Sequence, residues 1–353
     1  MPNREQIEEA LGRVIDPELR RPVTELGMVR DIEIDGGRVS LTIVLTVAGC
    51  PLRSSFEDQV AEHVGSLSGV ESVELRFDVM SPDERAALTT RLRGGTPERG
   101  IQLSPSTRVL AIASGKGGVG KSSLTVNLAA ALASLGQEVG ILDADIYGHS
   151  IPHMLGISQK PVVVDEMIVP PVAHGLRLMS IGFFLDDNQP VMWRGPMLHR
   201  ALEQFLQDVH WGAIDTLLVD MPPGTGDVSI SLGQLLPRAE AVVVTTPQPL
   251  AQEVAARAAM MAQKTGLRVV GVVENMTSEI FGSGGGARLA GDLGVPLLGT
   301  VPLDMQLREA GDEGTPLVIS DPDAEAAQAL LEIAKVIDGS RAGGFTRTLP
   351  LLR

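Results

Sequence analysis

The chain has 353 residues, 44% of them apolar and only 3% aromatic, so it can bury a core of Val, Leu, Ile, Ala and Met and is long enough for two domains. Its 29 Lys and Arg against 44 Asp and Glu leave a net charge of −15, which argues against nucleic-acid and anionic-membrane partners. The one cysteine, Cys50, excludes an intramolecular disulfide. With no apolar run of about 18 residues and no signal-peptide pattern at Met1–Gln6, the sequence predicts a cytoplasmic protein.

In chain order, residues 1–82 read as a small α+β domain. Arg4–Val14 has helical spacing. Met28–Ile34 and Val39–Val47 are strand-like around the turn Asp35-Gly-Gly37. Leu52–Leu67 reads as a helix and Val73–Val79 as a last strand. Residues 83–106 are charged and carry Gly94-Gly95, Pro97 and Pro105, which predicts a linker. From 107 to 340, apolar strands alternate with helical patterns. The strands are expected at Val109–Ala113, Glu138–Leu142, Thr216–Asp220, Ala241–Thr245, Val269–Glu274 and Leu297–Val301. The helices are expected at Lys121–Ser134, Met197–Val209, Leu250–Thr265, Ala287–Gly294 and Ala324–Ile337. Most strands are near-continuous apolar runs, as in parallel strands covered on both faces. The expected fold is therefore α/β, a doubly wound, mostly parallel sheet with nucleotide at the carboxyl ends of its strands. Residues 341–353 form a tail whose Pro350 makes it a poor amphipathic membrane anchor.

The first apolar run leads into Gly115-Lys-Gly-Gly-Val-Gly-Lys-Ser122, a GxxxxGK[ST] loop between a strand and a helix. The backbone of Gly115, Lys116, Gly117, Gly118, Val119 and Gly120 is expected to cradle phosphates, with Ser123 in the first turn of the helix that starts near Gly120 and turns its positive dipole end to them. Lys121 reaches the β- and γ-phosphates, and the Ser122 hydroxyl is placed to ligate Mg²⁺. Asp143 and Asp145 close the second strand, where a carboxylate can orient a water at the γ-phosphate directly or through Mg²⁺; a turn-capping pair is the plainer alternative. Asp220 ends the third strand opposite the loop, the position that holds Mg²⁺ or its water. The following Pro222-Pro-Gly-Thr-Gly226 looks like a switch. Asn275 has an amide that can read an adenine edge, or is simply a loop residue.

Cys50 follows a strand and precedes Pro51, which suits the first position of a helix. A thiol at that cap has a lowered pKa and favours metal or sulfur chemistry; equally, Cys50 is a small buried apolar residue, and position alone leaves both open. His149 and His153 are separated by Pro152 and do not share a helical face.

Together, Ser114–Ser122, Asp143-Ala-Asp-Ile-Tyr-Gly148, Met192-Trp-Arg-Gly-Pro-Met197, Asp220-Met-Pro-Pro-Gly-Thr-Gly-Asp227 and Glu274-Asn-Met276 resemble the Mrp/ApbC family of iron–sulfur cluster carrier ATPases, in the MinD/ParA-like group of P-loop proteins. Ile15-Asp-Pro-Glu18 and Gly49-Cys-Pro51 resemble the small domain of SufT-type assembly factors. The resemblance implies a deviant Walker A loop in a nucleotide-sandwich homodimer, with Lys116 reaching the partner's nucleotide. It makes Lys121, Asp145 and Asp220 the hydrolytic residues, gives Mg²⁺ to Ser122, Asp143 and Asp220, and gives adenine to Asn275. It also implies a Cys-x-x-Cys pair shortly after Asn-Met, so that a dimer offers four thiolates to a bridging [4Fe–4S] cluster. Asn275–Gly282 has no cysteine, so that ligand set is absent, and any cluster or sulfur contact falls to Cys50. His149 stands where the family usually has Pro.

The expected protein is a homodimeric Mg-ATP-dependent ATPase that carries or helps assemble iron–sulfur clusters for apo-protein clients. Two other readings stand beside it. One is a nucleotide-gated adaptor that holds no cluster and recruits clients through the N-terminal domain. The other is a MinD/ParA-like positioning ATPase, which the acidic charge and the tail disfavour.

Overall fold

The computed structural model describes residues 2–46, 53–93, 101, 103–145, 148–165, 167–184, 195–224 and 226–340. Cys50, Trp193, Arg194 and the 341–353 tail lie outside the described residues. The chain divides into two compact units: residues 1–102 with 160–172 and 206–212, and the remainder.

The first unit opens with α1 (Arg4–Leu11). The Asn3 side chain accepts from Gln6 N while the Gln6 side chain accepts from Asn3 N, a reciprocal cap that fixes the helix start. Then come α2 (Val23–Leu26), β1 (Val29–Asp35), β2 (Arg38–Leu45), α3 (Arg53–His63) and β3 (Ser72–Val79). β2 is central, antiparallel to β1 and parallel to β3. A shift of register at Asp31, whose φ is +52°, breaks the β1 ladder.

The next element corrects the expected linker. Residues Pro82–Arg93 form a helix, α4, begun by Ser81: Glu84 N donates to Ser81 Oγ (3.3 Å) and Ser81 N to Glu84 Oε2 (2.8 Å). The helix buries Leu88 and Thr89.

The second half of the chain continues with β4 (Arg108–Ser114), α5 (Lys121–Ser134), β5 (Val139–Asp143), α6 (Ile151–Met154), β6 (Val162–Val164) and β7 (Met167–Val169). The β6–β7 hairpin is a second correction, because the sequence reading kept 107–340 as one domain. Its Val164, Met167 and Val169 sit in one core with Ile7, Leu41, Ile43 and Phe56, and Thr89 Oγ1 donates to Val164 O.

The large unit resumes with β8 (Val172–Ala173) and β9 (Leu176–Ser180), joined by His174-Gly175, both at positive φ. After them come α7 (Gly195–Gln207), β10 (Thr216–Asp220), α8 (Asp227–Leu235), β11 (Glu240–Thr245), α9 (Pro249–Lys264), β12 (Arg268–Thr277), α10 (Gly285–Leu293), β13 (Leu297–Pro302), α11 (Met305–Asp312), α12 (Leu317–Ser320) and α13 (Glu325–Gly339). Eight strands form one sheet in the order β13-β12-β11-β4-β10-β5-β9-β8. β4 has β10 on one side and β11 on the other, both parallel to it, so the sheet's topological switch lies where the glycine loop leaves β4. β5 and β10 are buried along their whole length, as the apolar runs predict, and so is β9, which the sequence did not predict. No helix among the described residues is long and apolar enough to cross a membrane.

Candidate nucleotide site

The loop between β4 and α5 wraps a cavity of about 620 Å³ that Asp145, Gly148, Leu198 and Pro222-Pro223 help to line. Gly118 and Gly120 both have φ +78°, a region L side chains rarely adopt. Gly118 has open space where a Cβ would stand, whereas at Gly120 a Cβ would come within 2.3 Å of Asn275 Nδ2. One glycine leaves room above the loop; the other lets β12 approach from below.

Asp220, at the end of β10, is 0% exposed and gathers three donors. Lys121 Nζ lies 2.7 Å from its Oδ2, Ser122 Oγ donates to the same oxygen at 2.6 Å, and Thr125 Oγ1 donates to Oδ1 at 2.7 Å. Lys121 is itself buried and also lies 3.6 Å from Asp145 Oδ2. Asp145 reaches the cavity wall, and its Oδ1 accepts from Gly148 N. Lys116 is exposed and also lines the cavity.

Three expected site residues, Asp220, Asp143 and Asn275, are not in the cavity wall. Asp143, expected beside Asp145 as a Mg²⁺ ligand, is fully buried and, like Asp220, stands behind the cavity wall rather than in it. Its Oδ1 accepts from Asp145 N and its Oδ2 from Ser180 Oγ. Burial, with the charge of Asp220 second, pushes its carboxyl up to about 8. Asn275 is 2% exposed and also outside the wall. Its Nδ2 donates to Val119 O at 2.8 Å, bracing the loop from β12, while its Oδ1 is buried without a hydrogen-bond partner. The residue before it, Glu274, is 0% exposed and accepts from Gly284 N and Gly285 N, tying the start of α10 to the same strand end.

Sequence reasoning missed Thr125 and Ser180. Thr125 is four residues after Lys121, so helical periodicity alone could have placed it behind the loop. Ser180 had no local signal. Cys50, expected as the sulfur or cluster contact, lies outside the described residues. Among the described residues no three His, Cys, Asp or Glu side chains are grouped to hold a metal ion.

The donor set fits a nucleotide with Mg²⁺. A hydroxyl and a carboxylate oxygen meet beside a buried ammonium, under a glycine loop with open space above Gly118.

A parallel sheet whose central strand feeds this loop, with strand-end carboxylates facing it, defines a P-loop NTPase of the MinD/ParA-like fold. The sequence model described as NUBPL iron-transfer P-loop NTPase matches residues 106–338, and the one described as iron–sulfur cluster assembly protein matches residues 4–75. The chain belongs to this family of iron-transfer P-loop NTPases. It is 52% identical to the iron–sulfur cluster carrier protein of Mycobacterium bovis, with 96% of this chain and 93% of that one covered. It is 46% identical to the carrier of Synechocystis, at 93% and 95% coverage. Among solved structures, it resembles a nucleotide-binding protein in complex with ADP from Archaeoglobus fulgidus (TM-score 0.53, 36% identity, 62% of this chain and 93% of that one). It shares its fold with MinD complexed with Mg-ADP from Pyrococcus horikoshii (TM-score 0.52, 24% identity, 69% and 100% coverage).

Proposed function

We propose that the protein is a homodimeric, Mg-ATP-hydrolysing carrier that delivers iron–sulfur clusters to apo-protein clients in the cytoplasm. The observation that carries the ATPase part is the convergence of Lys121, Ser122 and Thr125 on the buried Asp220 beneath the glycine loop. In this reading the loop N–H groups hold the phosphates, and Lys121 exchanges its contact with Asp220 for the β- and γ-oxygens. Ser122 and Asp220 are the residues that would hold Mg²⁺, which supplies charge neutralisation at the phosphates. Asp145, the carboxylate in the wall, orients the water that attacks the γ-phosphorus as the bond to the β-phosphate oxygen breaks. The exposed Lys116 reaches the partner's nucleotide. The unpartnered Asn275 Oδ1 is the acceptor left for adenine's amino group.

The carrier part is supported by relatives of nearly equal length that are named as carriers. The single cysteine favours a second reading, a nucleotide-gated adaptor that recruits clients without holding a cluster. Two measurements test the pair. Lys121→Ala is expected to remove ATP binding and hydrolysis; unchanged values overturn the ATPase reading. Anaerobic reconstitution with iron and sulfide, on wild type and Cys50→Ser, decides the cargo. A Cys50-dependent cluster that transfers to an apo-protein supports the carrier, and no bound iron with intact ATPase supports the adaptor.

A further inference from the structure

Asp220 is held from two sides. Its Oδ2 contacts Lys121 and Ser122, the two groups that a Mg-nucleotide must recruit. Its Oδ1 contacts only Thr125 Oγ1 among the described side chains. Thr125 is 0% exposed and stands one turn after Lys121 on α5, so it faces β10 from behind the loop. Its hydroxyl also lies 3.0 Å from Lys121 O, the back-bond a threonine commonly makes inside a helix. A hydroxyl has one proton to give. The carboxylate contact is the shorter, at 2.7 Å, and a charged acceptor is the stronger partner, so the proton goes to Asp220.

We infer that Thr125 is a positioning residue for the nucleotide reaction: it pins Asp220 through the oxygen the nucleotide does not use. When phosphates draw Lys121 and Ser122 away, Asp220 would otherwise be a buried carboxylate with no donor, free to turn toward neighbouring groups. With Oδ1 fixed, Oδ2 stays aimed at the place where Ser122 and Asp220 would hold Mg²⁺. A hydroxyl that served only the helix backbone would have no effect on how the site responds to the cation. This inference rests on the Mg-nucleotide reading of the site.

The test is a Mg²⁺ titration of binding by a fluorescent ATP analogue, for wild type, Thr125→Val and Thr125→Ser, with hydrolysis measured beside it. Thr125→Val keeps the shape and removes the donor. Loss of one hydrogen bond to a charged group predicts a fall of about 10- to 100-fold in the Mg²⁺-dependent gain in affinity and a similar fall in kcat, with Mg²⁺-free binding within about threefold of wild type. Thr125→Ser is expected to restore most of the response. Wild-type Mg²⁺ dependence in Thr125→Val, or equal losses with and without Mg²⁺, overturns the inference. If Thr125→Val does not fold by circular dichroism, Thr125→Cys, a weak donor, takes its place with the same expectations. A wild type that binds Mg-nucleotide but does not hydrolyse it defeats the ATPase reading alone, and the titration still judges Thr125.

Discussion

Each unit holds a pair of neighbouring acids, and the two pairs are satisfied by different means. In the nucleotide unit, Asp220 has the Lys121 ammonium and two hydroxyls, and burial raises the carboxyl of Asp143 beside it to about 8. In the N-terminal unit, Asp16 is 6% exposed and, among the described residues, is served by backbone: Glu18 N and Leu19 N donate to its Oδ1. Its turn is docked on α3 by Gln59, which bonds both Ile15 N and Ile15 O. Burial raises Asp16, while burial and then the charge of Asp16 raise Glu18 to about 7. A carboxylate that must stay charged to work is given a cation and side-chain donors. The acids of the N-terminal turn, which lack that help, have their carboxyls raised by burial instead.

Removing the cation should make the first pair resemble the second. Lys121→Ala leaves Asp220 buried without its ammonium and is expected to cost about 3–5 kcal/mol of stability in the nucleotide-free protein, read by denaturant unfolding. An unchanged midpoint would mean that the ion pair is not what compensates Asp220. The reverse experiment acts on Glu18. Its carboxyl lies at about 7 folded against an ordinary 4.5, so the folded state holds the proton more tightly. Stability is therefore full below about pH 4.5 and declines as pH rises to about 7, by at most about 3 kcal/mol. Glu18→Gln should flatten that slope and stabilise the protein at pH 8; a slope that survives the substitution assigns it elsewhere. Asn275→Ala removes the brace from Val119 O and is expected to weaken nucleotide binding about tenfold, by calorimetric titration. The smallest effect belongs to the N-terminal unit's reliance on local backbone bonds. Ser81→Ala should cost about 1 kcal/mol through loss of the α4 cap, seen as a lower thermal midpoint.

The parts of the fold that depend on local pattern were legible in the sequence. β10 and α5 run over the residues predicted, because an unbroken apolar run and a loop-to-helix glycine define their own ends. α4 was legible in principle: Ser81-Pro-Asp-Glu84 is a capping-box pattern, but the charged composition and nearby glycines and prolines suggested a linker. β9 was hidden by Arg177, a charge inside an apolar run, which is only 5% exposed because it pairs with Glu138. At the site, the loop, Asp145 and Asp220 could be placed from their position at strand ends. Asn275 could not, since its partner Val119 is 156 residues away. Asp143 and Asp145 look equivalent in sequence; they differ because β5 ends at Asp143, so the strand buries the first while the following turn carries the second outward.

The β6–β7 hairpin has a consequence for inheritance. The stretch that matches the iron–sulfur assembly family ends at residue 75, while Val164, Met167 and Val169, which complete the core of that unit, are encoded inside the stretch that matches the NTPase. A gene cut between the two matches would release a small domain with a hole in its core. The halves of this chain are therefore not a pair of cassettes that recombination can exchange freely, and a substitution in the hairpin is judged by the fit of a core whose other residues, such as Ile7 and Phe56, come far earlier in the chain.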